Sequence, residues 1–453
     1  MEYVLISNKD NVKVCLDNGH KYAVRDIKKG EQIIKYGFPI GVACEDIKKG
    51  EQVHSHNLKT SLAGTLEYTY SPDFEYPEST EPAVINAYER KNGDIGIRND
   101  VWIIPTVGCV NSIAKVLADK TGAFCFTHPY GCSQLGGDLE VTQKVLCGLV
   151  KHPNAGGVLV LGLGCENNNI AEFKKILGNY DEERIRFLNC QDFDDEIAKG
   201  VKIITELQSL AENDTRTAVS ISRLKIGLKC GGSDGLSGIT ANPLCGKITD
   251  RLVSMGGTAV LTEVPEMFGA EQVLMNRCVD ENVFDETVGL INNYKEYFIS
   301  HNQPVSENPS PGNKEGGITT LEEKSLGCVQ KGGTAPVTAV LDYGDIAEKE
   351  GLNLLNGPGN DMVAVTNLTA AGCNLILFTT GRGTPLGAPV PTIKIATNSA
   401  IAERKKTWID FDAQAGDENS LLELIVETAN GKETKNEQYG YREIAIFKDG
   451  ATL

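Results

Sequence analysis

A chain of 453 residues is too long for one ordinary core, so two or three domains are expected, and its 41% hydrophobic content fits packed globular units. Lys and Arg number 44 against 61 Asp and Glu, a net charge of −17, which offers no general attraction to nucleic-acid phosphates or to anionic lipid. There is no run of about eighteen apolar residues, and the N-terminus "MEYVLISNKDNVKV" has no basic stretch followed by an apolar core, so membrane insertion and export are not expected and the cytoplasm is the default compartment.

From the N-terminus, short runs such as "VKVCL", "KYAVRDI" and "EQIIKYG", broken by Gly, Asn and Asp, predict a small all-β module over residues 1–66. Inside it the heptapeptide "DIKKGEQ" occurs twice, at Asp26–Gln32 and Asp46–Gln52. Lys-Lys-Gly-Glu is good turn chemistry between strands. The first copy runs into an apolar end with Ile34 and Tyr36, the second into "VHSHN" with His54 and His56. At i and i+2 on a strand, these histidines would share one face and point at a common target. Residues 67–100 are acidic, proline-containing and without helical period, as expected of an extended linker.

From Val101 onward strands alternate with helical stretches, the pattern of an α/β architecture with a mainly parallel sheet, divided into residues 101–218 and 219–453. Four apolar runs, "GAFCFTHPYGCSQLGGD", "GGVLVLGLGCENNN", "LKIGLKCGGSDGLSG" and "NLILFTTGRGTPLG", each break into a Gly-rich polar loop. Open α/β sheets bind ligands at the carboxyl ends of their strands, so the four loops predict an active site along one sheet edge. The first loop brings His128 and Cys132, the second Cys165, Glu166, Asn167, Asn168 and Asn169, and the third Cys230 and Asp234. Thiols, carboxylates and imidazoles ligate metals, while asparagines read hydroxyls or cap a helix. The fourth holds Thr380 and places Arg382 between two glycines, a setting suited to a carboxylate. The strand "PTIKIATNS" adds Asn398 and Lys394, the latter either a buried functional amine or a strand-edge charge. His152 and His301 read as ordinary surface or cap residues. Neither a dinucleotide nor a P-loop fingerprint is present, and the 13 scattered cysteines read as reduced thiols.

Laid side by side, "HKYAVRDIKKGEQIIKYGFPIG", "GEQVHSHNLKTSL", "HPYGCSQLGGD", "LGLGCENNN", "LKCGGSDGLSGITANPLCG" and "CNLILFTTGRGTPLGAPVPTIKIATNS" resemble the altronate and galactarate dehydratase family across most of the chain. "HPYGCSQLGGD" and the closing "YREIAIFKDGATL" favour its altronate side. The resemblance implies a multidomain protein: an N-terminal β-clip domain of the SAF kind, a linker, a middle region that makes a homodimer, and a C-terminal Rossmann-like parallel sheet. It also implies an iron(II) enzyme, with manganese(II) as a substitute, that dehydrates a small sugar acid. For D-altronate the product is 2-dehydro-3-deoxy-D-gluconate. The loop residues themselves, and not the resemblance, place that metal among His128, Cys132, Cys165, Glu166, Cys230 and Asp234. In the same reading Arg382, Thr380, Asn398 and Asn167 to Asn169 bind substrate. His54, His56, His20 and Lys394 supply acid and base, with the histidines docking from the small domain over the large one. The alternatives are a galactarate dehydratase, a sulfolactate sulfo-lyase, an iron–sulfur dehydratase using three of Cys132, Cys165, Cys230 and Cys373, and a non-catalytic carbohydrate or metal binder.

Overall fold

The computed structural model describes residues 2–62 and 64–453. The N-terminal unit is built from β1 (Tyr3–Val4), β2 (Val12–Cys15), β3 (Lys21–Ala23), β4 (Gln32–Lys35), β5 (Phe38–Ala43), β6 (Gln52–Val53) and β7 (Leu58–Lys59). They form two sheets, β1-β2-β3-β6 and β4-β5-β7. The two heptapeptides face each other across an Ile27–Ile47 bridge. Asp26 accepts the backbone N–H of Lys49 at 2.9 Å, and Asp46 accepts that of Lys29 at 2.9 Å. Each copy therefore caps the turn of the other. Those backbone N–H groups favour the charged form and hold both aspartates below the usual carboxylate range.

Residues 65–83 carry no regular strand or helix. Then β8 (Val84–Glu89) and β9 (Ile95–Gly96) occupy the last part of the predicted linker. The second unit carries β10 (Asp100–Pro105), β11 (Phe124–Cys125), β12 (Ala155–Gly162) and β13 (Ile185–Asn189) in the parallel order β11-β10-β12-β13. Every residue of β12 is buried, as a parallel strand covered on both faces requires. β14 (Thr217–Ser220) returns to pair antiparallel with β8.

The C-terminal unit is a seven-stranded sheet of β15 (Lys225–Cys230), β16 (Thr258–Leu261), β17 (Val337–Leu341), β18 (Gly351–Leu355), β19 (Leu375–Thr380), β20 (Thr392–Ala396) and β21 (Phe411–Asp412). Its order is β17-β18-β16-β15-β19-β20-β21, and every pairing is parallel. The four Gly-rich loops thus divide between two sheets: two follow β11 and β12, and two follow β15 and β19. This corrects the expectation of one shared edge; strand spacing along the chain carries no information about which sheet a strand joins.

The small domain is fastened to the C-terminal one by a buried ionic clamp. Glu323, on the helix Leu321–Cys328, receives Lys21 Nζ from β3 and Lys35 Nζ from β4, each at 2.8 Å, and all three side chains are at most 1% exposed. Burial opposes ionisation of Glu323, yet the two ammoniums hold its carboxyl well below the usual range. One apolar cluster runs on through the junction, from Ile27, Ile33 and Val53 to Leu228 and Leu321. Backbones also meet closely: a Cβ on Gly235 would lie 1.9 Å from the carbonyl oxygen of Gly19, so Gly235 has no room for a side chain. Removing one member of a buried pair leaves an uncompensated charge, at a cost of about 3–5 kcal/mol. Glu323→Gln is therefore expected to lower the unfolding free energy by that amount, read as an earlier denaturant midpoint, and an unchanged midpoint would contradict the clamp. Replacing Lys21, Lys35 and Glu323 together by Met, Met and Leu is expected to recover most of the loss.

Candidate active site

β15 and β19 are neighbours in the sheet although a long stretch of chain separates them, and their loops leave the same edge side by side. Gly381 and Arg382 both donate their backbone N–H to Gly232 O, at 3.2 and 3.1 Å. Asp234 ties the loops together: its carboxylate accepts from Ser237 Oγ at 3.0 Å, Thr397 Oγ1 at 2.9 Å and Asn398 Nδ2 at 3.3 Å. Burial pushes its carboxyl up, so it stays in place through these bonds rather than through an opposite charge. Gly381 must be glycine, because a Cβ there would fall 2.3 Å from the Asp234 carboxyl carbon. Thr380 Oγ1 accepts from Gly383 N at 2.8 Å and shapes the turn that carries Arg382. Asn398 caps the helix Ser399–Arg404. Thr380 and Asn398, expected to bind substrate, are thus used in holding the loop.

Arg382 remains available. Its guanidinium pairs with the exposed Glu315 at 3.0 Å and donates to Gly312 O at 3.3 Å. With Arg404, Asn18, Asp234, Gly316 and Gly381 it lines a cleft of roughly 280 Å³. Two cations on one wall make this a carboxylate-sized receptor, in the crevice beyond the carboxyl ends of the strands where the order of the sheet reverses.

The small domain reaches this cleft at Asn18, whose side chain accepts the backbone N–H of His20 at 3.0 Å. β6 ends at Val53, so His54 and His56 lie in a turn and not on one strand face; the shared-face expectation fails because the strand stops one residue early. His56 is exposed. His54 instead meets His20, the residue before β3, with ring centroids 5.6 Å apart. The carbonyl of Lys314 lies 2.9 Å from His54 Nε2, which must carry the proton, since a carbonyl only accepts. Gln52 Nε2 lies 3.0 Å from His20 Nδ1. Burial first, then the neighbouring His54 and Lys21, keep the His20 imidazole below its ordinary pKa and so in its neutral form near pH 7. The segment from Gly312 to Gly316 touches both Arg382 and His54, and so joins the cleft to the histidine pair.

Beneath this edge lies a closed ionic cluster that the sequence reading missed apart from Cys230. Cys230 Sγ is 3.1 Å from Glu266 Oε2, 3.4 Å from Cys328 Sγ and 2.9 Å from Lys331 Nζ. Lys324 Nζ pairs with Glu266 at 2.8 Å, and Lys229 Nζ pairs with Glu263 and, at 2.8 Å, with Asp361. The Cys328 hydrogen bond, against the effect of burial, brings the Cys230 thiol down to about 6. Glu263 adopts a left-handed backbone, φ 75°, that costs a residue with a side chain about 1–3 kcal/mol and is tolerated where the surroundings hold it. Lys394 on β20 is 1% exposed and its ammonium has no hydrogen-bond partner among the described residues. The Phe378 ring lies 5.5 Å from Lys229 Nζ and 5.9 Å from Lys394 Nζ.

The second domain uses most of its expected ligands otherwise. His128 is buried with Nε2 on Pro105 O at 2.8 Å and Nδ1 accepting from Tyr130 N at 3.2 Å, so both nitrogens are engaged; burial pushes its pKa down to about 4. Glu166 accepts from Thr106 Oγ1 at 2.7 Å, Leu163 N at 3.0 Å and Gly164 N at 2.7 Å, bonds that keep it ionised despite burial. Asn168 is buried between Gln143 and Thr106, and Asn169 caps the helix Ile170–Leu177. Asn167, by contrast, accepts from Cys132 Sγ at 3.3 Å and from Ser133 N at 3.0 Å, in an exposed loop. Cys132 and Cys165 lie on the edge of one sheet and Cys230 and Asp234 on another, so the expected metal set is split. Cys373 is wholly buried, its thiol pushed up to about 12 by burial. His152 is also buried, between Trp102 and Cys373 O, rather than at the surface.

Three family models match in succession: the altronate/galactarate dehydratase SAF domain over residues 6–61, the D-galactarate dehydratase/altronate hydrolase second domain over 87–212, and the D-galactarate/altronate dehydratase C-terminal domain over 221–452. An altronate dehydratase of Escherichia coli (strain K12) is 51% identical over the full length of both chains. The chain belongs to the altronate/galactarate dehydratase family. An altronate dehydratase of Bacillus subtilis (strain 168) is likewise 51% identical, over 99% of this chain and 94% of its own. A galactarate dehydratase (L-threo-forming) of Escherichia coli (strain K12) is 31% identical over 95% and 90%.

A dehydratase of this family implies a metal, and by spacing Cys230, Glu266 and Cys328 could hold one, their ligand atoms all lying within 4.8 Å. The donor chemistry does not favour it as the structure stands. Lys331 already faces the Cys230 sulfur, Lys324 pairs with the other oxygen of Glu266, and both thiols are bonded to Glu266 Oε2, so a divalent cation would enter against nearby ammoniums and displace bonds already made. Among the described residues no helix is long and apolar enough to cross a membrane.

Lys394 gives a stability test at this site. Burial, opposed by Asp410 and Asp361, brings its pKa down from 10.5 to about 8. Below pH 8 the folded chain binds that proton at a disfavoured site, a penalty of roughly 3 kcal/mol that vanishes as pH rises toward the unfolded value. Lys394→Met is expected to raise stability by that order at pH 7, with the gain shrinking between pH 8 and 10.5; a gain independent of pH would contradict this account.

Proposed function

We propose that the protein is a hydro-lyase that converts D-altronate into 2-dehydro-3-deoxy-D-gluconate and water, with iron(II) as its metal and manganese(II) as a substitute. The observation that carries the reading is a cleft lined by Arg382 and Arg404, with the His20–His54 pair beside it at Asn18 and Lys314, in a chain of this family. We further read the seven-stranded sheet as Rossmann-like. From β18 to β21 its order has the form 3-2-1-4-5-6, with β17 added at the edge. We take the working unit to be a cytoplasmic homodimer.

The hydrogen beside a carboxylate is weakly acidic, because its removal places further charge on an anion; the bound metal supplies the electrophile that stabilises this charge. Arg382 exchanges Glu315 for the substrate carboxylate, and Arg404 adds a second positive charge to the cleft. His20, neutral, takes the C2 proton on Nδ1, the nitrogen that faces Gln52 Nε2, and Gln52 gives up that contact. His54 acts as the acid in its doubly protonated form: it gives one proton to the C3 hydroxyl and returns to the neutral imidazole as the C3–O bond breaks, which releases water and leaves an enol that tautomerises to the 2-keto acid. Closure of the small domain by the Glu323 clamp keeps bulk water from the charged intermediate.

An anaerobic assay with added iron(II) is expected to yield keto acid from altronate in preference to galactarate and (2R)-sulfolactate. Arg382→Ala is expected to lower kcat/KM about 100-fold, the factor that corresponds to roughly 3 kcal/mol for a lost charge-assisted contact. His20→Ala and His54→Ala are each expected to lower kcat by about 10²- to 10⁴-fold, as loss of a general acid or base does. Turnover of none of the three acids, or near-normal activity in both histidine variants, would overturn the reading.

A further inference from the structure

Of the 13 cysteines, ten are buried or half-buried and only Cys109, Cys132 and Cys165 are exposed. All three lie at the carboxyl edge of the second domain, each in the loop that leaves one of three adjacent parallel strands: Cys109 after β10, Cys132 after β11 and Cys165 after β12. A thiol in solvent gains nothing from packing and is open to oxidation. Three on one rim call for another account.

The rim is built, not loose. Gly108 N donates to Tyr130 O at 2.9 Å, Asn111 Nδ2 to His128 O at 2.8 Å and Asn168 N to Gly131 O at 2.9 Å, so each cysteine loop is tied to its neighbour. Gly131, at φ +102°, lies so close to β10 that a Cβ would fall 2.0 Å from Thr106 O. Polar groups reach the sulfurs: Gln191 Nε2 donates to Cys165 Sγ at 3.6 Å, Ser133 Oγ to Cys132 Sγ at 3.9 Å, and Cys132 Sγ to Asn167 Oδ1 at 3.3 Å. The helices Asn111–Thr121, Asp138–Val150 and Ile170–Leu177 all begin from this rim and turn their positive ends toward it. The three sulfurs are not gathered within the 4.8 Å that marks a single-ion set among the described residues. Wider spacing is what a cluster needs, because each thiolate binds a different iron.

We propose that Cys109, Cys132 and Cys165 hold a four-iron, four-sulfide cluster. The three thiols lose their protons on ligation. Assembly from ferric iron and sulfide reduces two of the four irons, with dithiothreitol as the electron donor. The cluster does not rest on the dehydratase reading above.

Full-length protein reconstituted anaerobically with ferric iron, sulfide and dithiothreitol is expected to hold about four irons and four acid-labile sulfides per chain. It should show broad visible absorption that bleaches with dithionite, and a paramagnetic resonance signal in the reduced form. Cys109→Ser, Cys132→Ser and Cys165→Ser should each lose sulfide and colour while circular dichroism and melting stay as in the parent. Cys230→Ser should retain both. Iron without sulfide, colour that survives every rim variant, or colour lost on Cys230→Ser would overturn the proposal. A full cluster in a protein that dehydrates none of the tested acids sinks the altronate reading and leaves the cluster standing. Protein that takes up no sulfide on reconstitution yet dehydrates altronate sinks the cluster alone.

Discussion

A single desolvated carboxylate governs the domain junction. Glu323 is satisfied only when β3, β4 and the helix Leu321–Cys328 meet, because its two ammonium partners come from different strands of the small domain. Charges taken out of water have no partly docked state of low energy, so seating is close to all-or-none. The geometry passes straight to the candidate acid–base pair. His20 immediately precedes Lys21, and Lys21 is paired in register with Val53, the residue before His54. Positioning the clamp therefore positions both imidazoles beside the Arg382 cleft.

The two sheet edges solve opposite electrostatic problems. At the C-terminal edge the charges under the loops close on one another, Lys229 with Glu263 and Asp361, Lys324 with Glu266, Lys331 with Cys230. Such a cluster fixes loop positions and leaves few lone pairs free, while Arg382, 45% exposed in its side chain, keeps its capacity for a ligand. At the second edge the carboxylate and two of the three asparagines are spent on the loops, and the sulfurs are what remains. Under the two proposals, substrate recognition falls to one sheet edge and iron–sulfur ligation to the other.

Much of this was legible in the chain. The β module, the α/β region, the Gly-rich loops and Arg382 followed from composition, period and turn chemistry, and the family followed from the motifs. What stayed hidden was tertiary. Lys21, Lys35 and Lys229 read as charges on short strands and gave no sign of their buried acids, because those partners lie far along the chain. "LTEVPEMFG" offered a signal in two acids set among apolar residues, Glu263 and Glu266. "TVGCVN" offered another, a cysteine in a glycine turn after an apolar strand, the same form as the loops of Cys165 and Cys230. The single-edge expectation failed because an apolar run specifies a buried strand but not its neighbours.

The reciprocal capping of the two "DIKKGEQ" copies binds their histories together. Because Asp26 serves the turn at Lys49 and Asp46 the turn at Lys29, a change in either acid loosens the opposite half, and the duplicated turns are free to vary only in concert. Their continuations carry no such obligation. One leads into Lys35 and Tyr36, whose ring stands against Gly238 of the large domain, and the other into His54 against Lys314. The duplication thus yields a symmetric socket with two unlike prongs, an anchor and a reactive tip, so that neither copy can be called the idle one.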